Sequence, residues 1–400
     1  MRIAYVTADF GVPVFGGKGA SVHVRELTRA LQSLGHDVLV LTARVGGEAP
    51  PDFDVRVLEV AAPPGQEVAG RDLELRAGRY AAELHRRGRV LLQRFRPDLV
   101  YERYSLFGTG GRMLAGDLGV PLILEVNAPL ADEHAAHRGG LADRRRARSQ
   151  ERRILRSADR VVAVSSWLER WLVGLGVDRR RIALVPNGVD PGRFRPARGE
   201  VATVRRQLGG GGRPLIGFLG SLKPWHDVDT LVRALALLGH RSSDPLLVLL
   251  GDGPERARLE ALVRRRGLDS RAIFVGAIAY DRVPAHLAAL DVAIAPYRPG
   301  ACYFSPLKLF EYLGAARPTV AAAVGDIPHC IVPGQTGSLY RAADTRALAR
   351  EISALLDNPS RAAALGRGGR DHVRTHHTWH ANARRVVELV HDDLAIRRAS

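Results

Sequence analysis

Three lysines stand against fifty-six arginines in this chain of 400 residues: Lys18 in GGKGAS, Lys223 in GSLKPWH and Lys308 in FSPLKLFEYLG. A compact ammonium on a flexible stem serves where a planar guanidinium fork does not fit, and phosphate oxygens are one such target. Lys308 has the strongest local case. Ser305-Pro306 reads as a helix start, with Ser at the N-cap and Pro at the first helical position. Lys308 then falls in the first turn, where a cation opposes the helix dipole. An anion held at that N-terminus by amides and ammonium together would resolve the conflict. An intrahelical pair between Lys308 and Glu311, on the same helix face, would resolve it too. Both readings stand at this point.

The other two lysines lie in similar surroundings. GGKGAS (16–21) follows the first strand and opens the first helix. It matches neither a GxGxxG fingerprint nor a P-loop. Its glycines can still bring amides close to a phosphate, or simply make a flexible loop. GSLKPWHD (220–227) follows a strand and sets Ser221, Lys223 and His226 near a helix start; a turn packed on Trp225 is the structural alternative. Asp52-Phe53-Asp54 and Asp227-Val228-Asp229 are DxD triplets. The first is loop-like and the second sits at a helix start, so capping explains it better than a metal. HExxH, CxxC and EF-hand patterns are absent, so no metal is expected, and no GxSxG elbow marks a hydrolase. His372, His376, His377 and His380 read as surface or packing residues.

These motifs need elements to hold them. Apolar runs at 2–8, 37–43, 98–103, 121–126 and 159–165 read as strands buried on both faces of a parallel sheet, with helices between them. The pattern restarts at 214–220 and continues at 245–251, 272–276, 292–297 and 318–323. The predicted class is α/β, two doubly wound domains in series. The domains span 1–195 and 214–376. An Arg/Pro/Gly-rich linker covers 196–213, and a final helical segment covers 377–400. Every motif above falls on a strand-to-helix loop, the ligand edge of such sheets. Two such domains facing each other would form a cleft.

Hydrophobic residues make up 46% of the chain and charged ones 25%, which suits a globular chain with ample core; no stretch approaches a membrane span. The sequence MRIAYVTADF starts directly as a strand, without a leader pattern. Cys302 and Cys330 have no paired spacing, so a cytoplasmic setting fits. A net charge of +17 points to acidic partners. The densest basic run, Arg144 to Arg156, reads as a solvated helix face. It lacks interleaved aromatics, which argues against nucleic acid, and leaves room for a peripheral contact with a membrane.

Taken in order, GGKGASVHVRELTRALQSLGHDV, VSSWLERWLVGLGV, VPNGVDPGRF, FLGSLKPWHDVDTL, GDGPERARLEALVRRRGL, FVGAI, DVAIAPY, FSPLKLFEYLGAARPTVAAAVGDIP and GQTGSLY resemble the retaining, nucleotide-sugar-dependent glycosyltransferases of the glycogen-synthase-like family 4. The resemblance covers nearly the whole chain. It implies a GT-B fold, with the acceptor on the first Rossmann-like domain and the sugar nucleotide on the second. The final helix would cross back to the first domain.

By the same resemblance Glu311 would hold the ribose hydroxyls, and the 305–308 segment would lie under the diphosphate. Ser305, Leu307 and Leu309 are counted with that donor segment. Gly16 and Gly17 match the first-domain loop near the phosphate, and Val275 and Ile278 flank the loop that reads the base. Tyr303 stands where the family usually has the glutamate that contacts the donor sugar. Ser221 and His226 stand where it has Arg and Lys, and Asn127 where it often has His. Lys308 and Lys223, with a protonated His226, would supply the charge that stabilises the leaving diphosphate. Acceptor contacts would come from Lys18, Arg103, Tyr104, Asn127, Glu133, His134 and Arg138. The implied partners are a nucleoside diphosphate sugar, a UDP- or GDP-sugar, and a small-molecule, lipid or glycan acceptor; no cofactor is implied. A non-catalytic sugar-nucleotide-binding protein and a phosphorylase or epimerase of the same fold are the competing readings.

Overall fold

The computed structural model describes residues 1–61, 71–137, 140–238, 244–300 and 303–399, with backbone alone for 71, 137 and 391–399. Its contacts divide into two units. The first is Met1–Pro186, Tyr303–Ser305 and Trp379–Ser400; the second is Asn187–Cys302 and Pro306–Thr378.

The first unit is built on seven parallel strands: β1 (Arg2–Thr7), β2 (Asp37–Thr42), β3 (Arg56–Glu59), β4 (Leu99–Arg103), β5 (Leu122–Val126), β6 (Arg160–Ala163) and β7 (Ile182–Leu184). Their order is β3-β2-β1-β4-β5-β6-β7. The second unit has β8 (Leu215–Leu219), β9 (Leu246–Leu250), β10 (Ala272–Gly276), β11 (Val292–Ala295), β12 (Thr319–Ala322) and β13 (Ser338–Tyr340), in the order β10-β9-β8-β11-β12-β13. The central strands are buried along nearly their whole length, as their continuous apolar runs require. In each sheet the strand order reverses once, between β1 and β4 and between β8 and β11. Loops at the carboxyl ends diverge there and leave a crevice.

The short strands β3, β7 and β13 add to the pattern read from the sequence. β3 (RVLE) is mostly exposed, so it has no apolar run to betray it. The stretch 196–213, expected as a linker, contains the helix Arg198–Gln207. Arg205 fastens that helix to the second unit by bonds to the Ala289 carbonyl (2.8 Å) and to Asp291 (2.9 Å). The helix Trp379–Ala399 belongs to the first unit and packs on the helix Gly19–Ser33. The Trp379 ring meets His23 edge-on at 4.9 Å, and Asn382 donates to the Pro186 carbonyl at 2.7 Å.

The arginine-rich run forms the helix Arg144–Ser157. Asp143 caps it by accepting the Arg146 amide, and Ala147, Glu151, Ile154 and Leu155 form its buried stripe. Its arginines face outward, and Arg144 and Arg148 pair with Asp132 at 2.9 and 2.7 Å. Among the described residues no helix is long and apolar enough to cross a membrane.

Candidate functional site

The second unit collects two of the three lysines at its crevice. The helix Leu307–Gly314 follows β11, and Tyr312 on it bridges the two strands that flank the crevice. Its hydroxyl accepts the Leu219 amide at the end of β8 (2.7 Å) and donates to the Ile294 carbonyl of β11 (3.3 Å). That clamp fixes the helix and aims Lys308 back over the sheet edge. The ammonium lies 4.1 Å from the Phe218 ring centroid and 5.3 Å from that of Tyr297, within cation–π range. It also lies against Gly220, where a Cβ would come within 2.8 Å of Nζ. Gly220 has φ +136°, a conformation L side chains rarely adopt, so glycine is needed there twice over.

Lys308 is buried, and its Nζ has no hydrogen-bond partner among the described residues. The intrahelical pair with Glu311 is therefore not formed; Glu311 is buried one turn on. Burial pushes the ammonium well below the usual lysine range, and the Glu311 charge only partly offsets that. The helix also begins one residue later than the sequence suggested. Pro306 is the N-cap and no side-chain hydrogen bond caps the helix; Ser305 groups with the first unit. Among the described residues the amides of Leu307 and Lys308 make no backbone hydrogen bond, whereas the Leu309 amide donates to the Pro306 carbonyl at 3.0 Å. Leu309 is fully buried, so of the donor-segment amides it has the least to offer a ligand.

His226 lies beside this lysine, with its ring 5.5 Å from Phe218 and 5.4 Å from Tyr297. Its Nδ1 is 2.5 Å from the Ser221 carbonyl, so Nδ1 carries the proton and Nε2 is an acceptor. Burial, then Lys308, then Lys223 hold its pKa well below the usual histidine range. The protonated His226 expected from the sequence is thus corrected to a neutral one. Two ammonium groups nearby in a dry pocket disfavour a third cation. Lys223 is half-buried with its Nζ 5.9 Å from the Trp225 ring, and Ser221 is exposed. Asp227 occupies the N-cap of the helix Val228–Leu237 in a left-handed conformation, but its side chain makes no capping bond. The glycine-rich turn after β9 closes on this loop. A Cβ on Gly251 would come within 2.0 Å of the Gly220 carbonyl. Val275 is half-buried at the bulge in the β9–β10 pairing, and Ile278 is half-buried in the loop beyond.

The first unit places a polar network at its own crevice. Glu125, near the end of β5, is buried and central. It bonds His23 (2.7 Å), Arg103 (3.1 Å), the Asn127 amide (2.5 Å) and the Tyr101 hydroxyl. Burial raises its carboxyl, but His23, Arg103 and the Tyr101 bond outweigh this and hold it at about 2. Arg103 and Asn127 are thus brought together. The Tyr104 hydroxyl instead donates to Glu151 (3.2 Å), whose carboxyl burial raises to about 7.

Tyr303 and Ser305, expected with the donor, group with the first unit. The Tyr303 hydroxyl donates to Glu133 (3.1 Å), and its carbonyl accepts from Ser165 (2.6 Å). The Lys18 ammonium donates to the Gly11 carbonyl of its own loop (2.9 Å). Gly17 faces open space, whereas a Cβ on Gly16 would strike Pro13. His134 lines an apolar pocket, and Arg138 lies outside the described residues. The sequence reading missed His23, Glu125, Phe218, Tyr297 and Tyr312. A glutamate inside the apolar run LILEV was the one signal available for Glu125.

With this geometry in view, comparison with known proteins gives a consistent result. Residues 17–193 match the model of Glycosyltransferase Family 4, and residues 213–358 match that of Glycosyl transferases group 1. A D-inositol 3-phosphate glycosyltransferase from Acidothermus cellulolyticus is 30% identical over 100% of this chain and 91% of its own. A GDP-mannose-dependent alpha-(1-6)-phosphatidylinositol monomannoside mannosyltransferase from Mycolicibacterium smegmatis is 31% identical over 63% of this chain and 67% of its own. The structure of sucrose-phosphate synthase from Thermosynechococcus elongatus superposes with a TM-score of 0.79, covering 99% of both chains at 24% identity. The chain belongs to glycosyltransferase family 4. It is a nucleotide-sugar glycosyltransferase with the GT-B fold.

Proposed function

We propose that the chain transfers a glycosyl group, with retention of configuration, from a UDP- or GDP-sugar bound on the second unit to an acceptor hydroxyl bound on the first. The observation that carries this is the Lys308 ammonium: buried, without a hydrogen-bond partner among the described residues, and held at a helix N-terminus whose Leu307 and Lys308 amides make no backbone bond among them. A diphosphate there would meet a desolvated positive charge and helix amides together. Lys223 adds charge at the rim, so the leaving group is stabilised without a metal ion or other cofactor. Glu311, one turn on, is placed to accept ribose hydroxyls. The Nε2 of neutral His226 accepts a hydroxyl of the donor sugar, in place of the cationic role first expected.

In the reaction the bond from the anomeric carbon to the β-phosphate oxygen breaks, and the nucleoside diphosphate leaves with the electron pair. The acceptor oxygen attacks from the same face and bonds to that carbon, and its proton passes to a phosphate oxygen. Arg103 and Asn127, fixed by Glu125, orient the acceptor. The named substrate of the Acidothermus relative makes a polyol one candidate acceptor, with lipid and glycan acceptors beside it. The outward arginines of 144–156 suit a peripheral contact with an anionic membrane.

Steady-state turnover of Lys308→Ala and Glu311→Ala tests this reading. Both should lose activity by at least a hundredfold with an unchanged circular dichroism spectrum. Wild-type turnover in both would remove the site.

A further inference from the structure

A pocket of about 40 Å³ opens in the first unit at the carboxyl edge of its sheet. It lies between the loop after β1, the helix Arg71–Phe95 and the loop after β4. Its walls are apolar: Phe10, Leu73, Ala77, Ala81, Leu84 and Leu106. The Phe10 and Tyr80 rings meet edge-on at 5.3 Å, which stiffens one side. The polar groups on its lining are Asp9, Tyr80, Ser105 and His134; among the described residues no lysine or arginine lines it. Asp9 accepts the Gly11 amide at 2.7 Å, which holds a carboxylate at the mouth.

One polar atom of the lining has no partner among the described residues: the hydroxyl of Tyr80, a residue only 2% exposed. Outside the lining, on β4, Oε1 of Glu102 is equally buried against Gly111 and also has no partner among them. Burial raises the Glu102 carboxyl to about 8, so it is neutral at pH 7 even though it accepts the Gly111 amide. A buried group left without a hydrogen bond is destabilising, and a ligand that bonds it recovers part of that cost. The space holds roughly three water-sized atoms, which is the edge of a ring rather than a whole sugar.

We infer that this pocket takes an uncharged ring edge of the acceptor that carries a hydroxyl for Tyr80. This deepens the acceptor reading above and rests on it. A phosphate in the pocket is disfavoured by the described lining: an anion would meet the Asp9 carboxylate and apolar walls, and Arg76, whose guanidinium lies 4.4 Å from the Phe10 ring centroid, is not among the lining residues. The acceptor therefore differs in this group from the phosphate-bearing substrate named for the Acidothermus relative.

Saturation-transfer NMR on the full chain tests this with cyclohexanol as the uncharged probe and myo-inositol 1-phosphate as the charged one. Ala77→Leu fills the pocket, and Tyr80→Phe removes the hydroxyl without changing the wall. The expected result is cyclohexanol binding to the wild type, at least tenfold weaker in Ala77→Leu and three- to tenfold weaker in Tyr80→Phe, with no displacement by the inositol phosphate. Stabilisation by nucleotide should be unchanged in both variants, which shows them folded. Equal cyclohexanol binding in the wild type and both variants overturns the inference. So does its absence from the wild type, as does its displacement by the inositol phosphate. Loss of nucleotide stabilisation from the wild type itself would instead overturn the donor reading, whatever the probe does.

Discussion

The Lys308 ammonium rests 4.1 Å from the Phe218 ring centroid, and no described residue accepts a hydrogen bond from it. A charge so placed costs stability unless an anion meets it. Lys308→Met should therefore make the protein without nucleotide more stable while destroying donor binding. Each kcal/mol regained raises the melting temperature by about 2–4 °C in a domain of this size. Burial lowers the folded-state pKa of this lysine, so the penalty is complete below that value and fades as pH rises through it. Urea titrations from pH 6 to 10 should show the advantage of Lys308→Met shrinking with pH. A variant less stable than wild type at neutral pH would contradict this.

Nucleotide affinity should follow the same proton. A diphosphate draws the ammonium back to its charged form, so binding takes up a proton once pH exceeds the depressed value. Calorimetric affinity for UDP or GDP should fall as pH rises there, by up to about tenfold per unit. The same titration on Lys308→Met should be flat over that span. Equal slopes in both proteins would place the titrating group elsewhere.

Glu102 predicts a second pH effect of the opposite sign. Its folded carboxyl is raised to about 8, so between the ordinary glutamate value and 8 the folded state holds a proton that the unfolded state loses. Wild-type stability should fall across pH 5 to 8, by up to about 1.4 kcal/mol per unit. Glu102→Gln mimics the neutral acid and should flatten that slope. A slope unchanged in Glu102→Gln would show the carboxyl to be ionised in the fold.

Gly251 stood in the sequence only within the family-like stretch GDGPERARLEALVRRRGL, yet it sets the loop after β8. With φ +136° and a Cβ position 2.0 Å from the Gly220 carbonyl, Gly251→Ala strains the backbone and moves the loop that carries Ser221 and Lys223. Strain of this kind is worth about 1–3 kcal/mol. Denaturant unfolding should register at least that loss, together with weakened nucleotide binding. Wild-type stability in Gly251→Ala would show the turn to be adaptable.

What the sequence disclosed follows from where burial leaves a signature. Strands such as LILEV and LLVLL are buried on both faces and read as unbroken apolar runs, so the two doubly wound sheets were visible. β3 (RVLE) is mostly exposed and was not. The Lys308 motif marked the crevice edge of the second sheet, because a cation in a first helical turn is a local conflict that the chain itself displays. Where Lys308 points is a tertiary fact, fixed by Tyr312 bridging β8 to β11. The neutrality of His226 depends on burial and on lysines 3 and 82 positions away in the chain. The grouping of Tyr303 with Glu133 and Ser165 joins residues more than a hundred positions apart, which no local pattern encodes.

The central claim is that Lys308 anchors a nucleoside diphosphate sugar. Its most direct test is thermal stabilisation of wild type and Lys308→Met by UDP-, GDP-, ADP- and dTDP-sugars, with and without chelator. One donor, at about a hundredfold over its Kd, should stabilise the wild type by roughly 2.7 kcal/mol. Chelator should not change that value, and Lys308→Met should abolish it. Equal stabilisation of both proteins, or none of the wild type by any donor, would contradict the account.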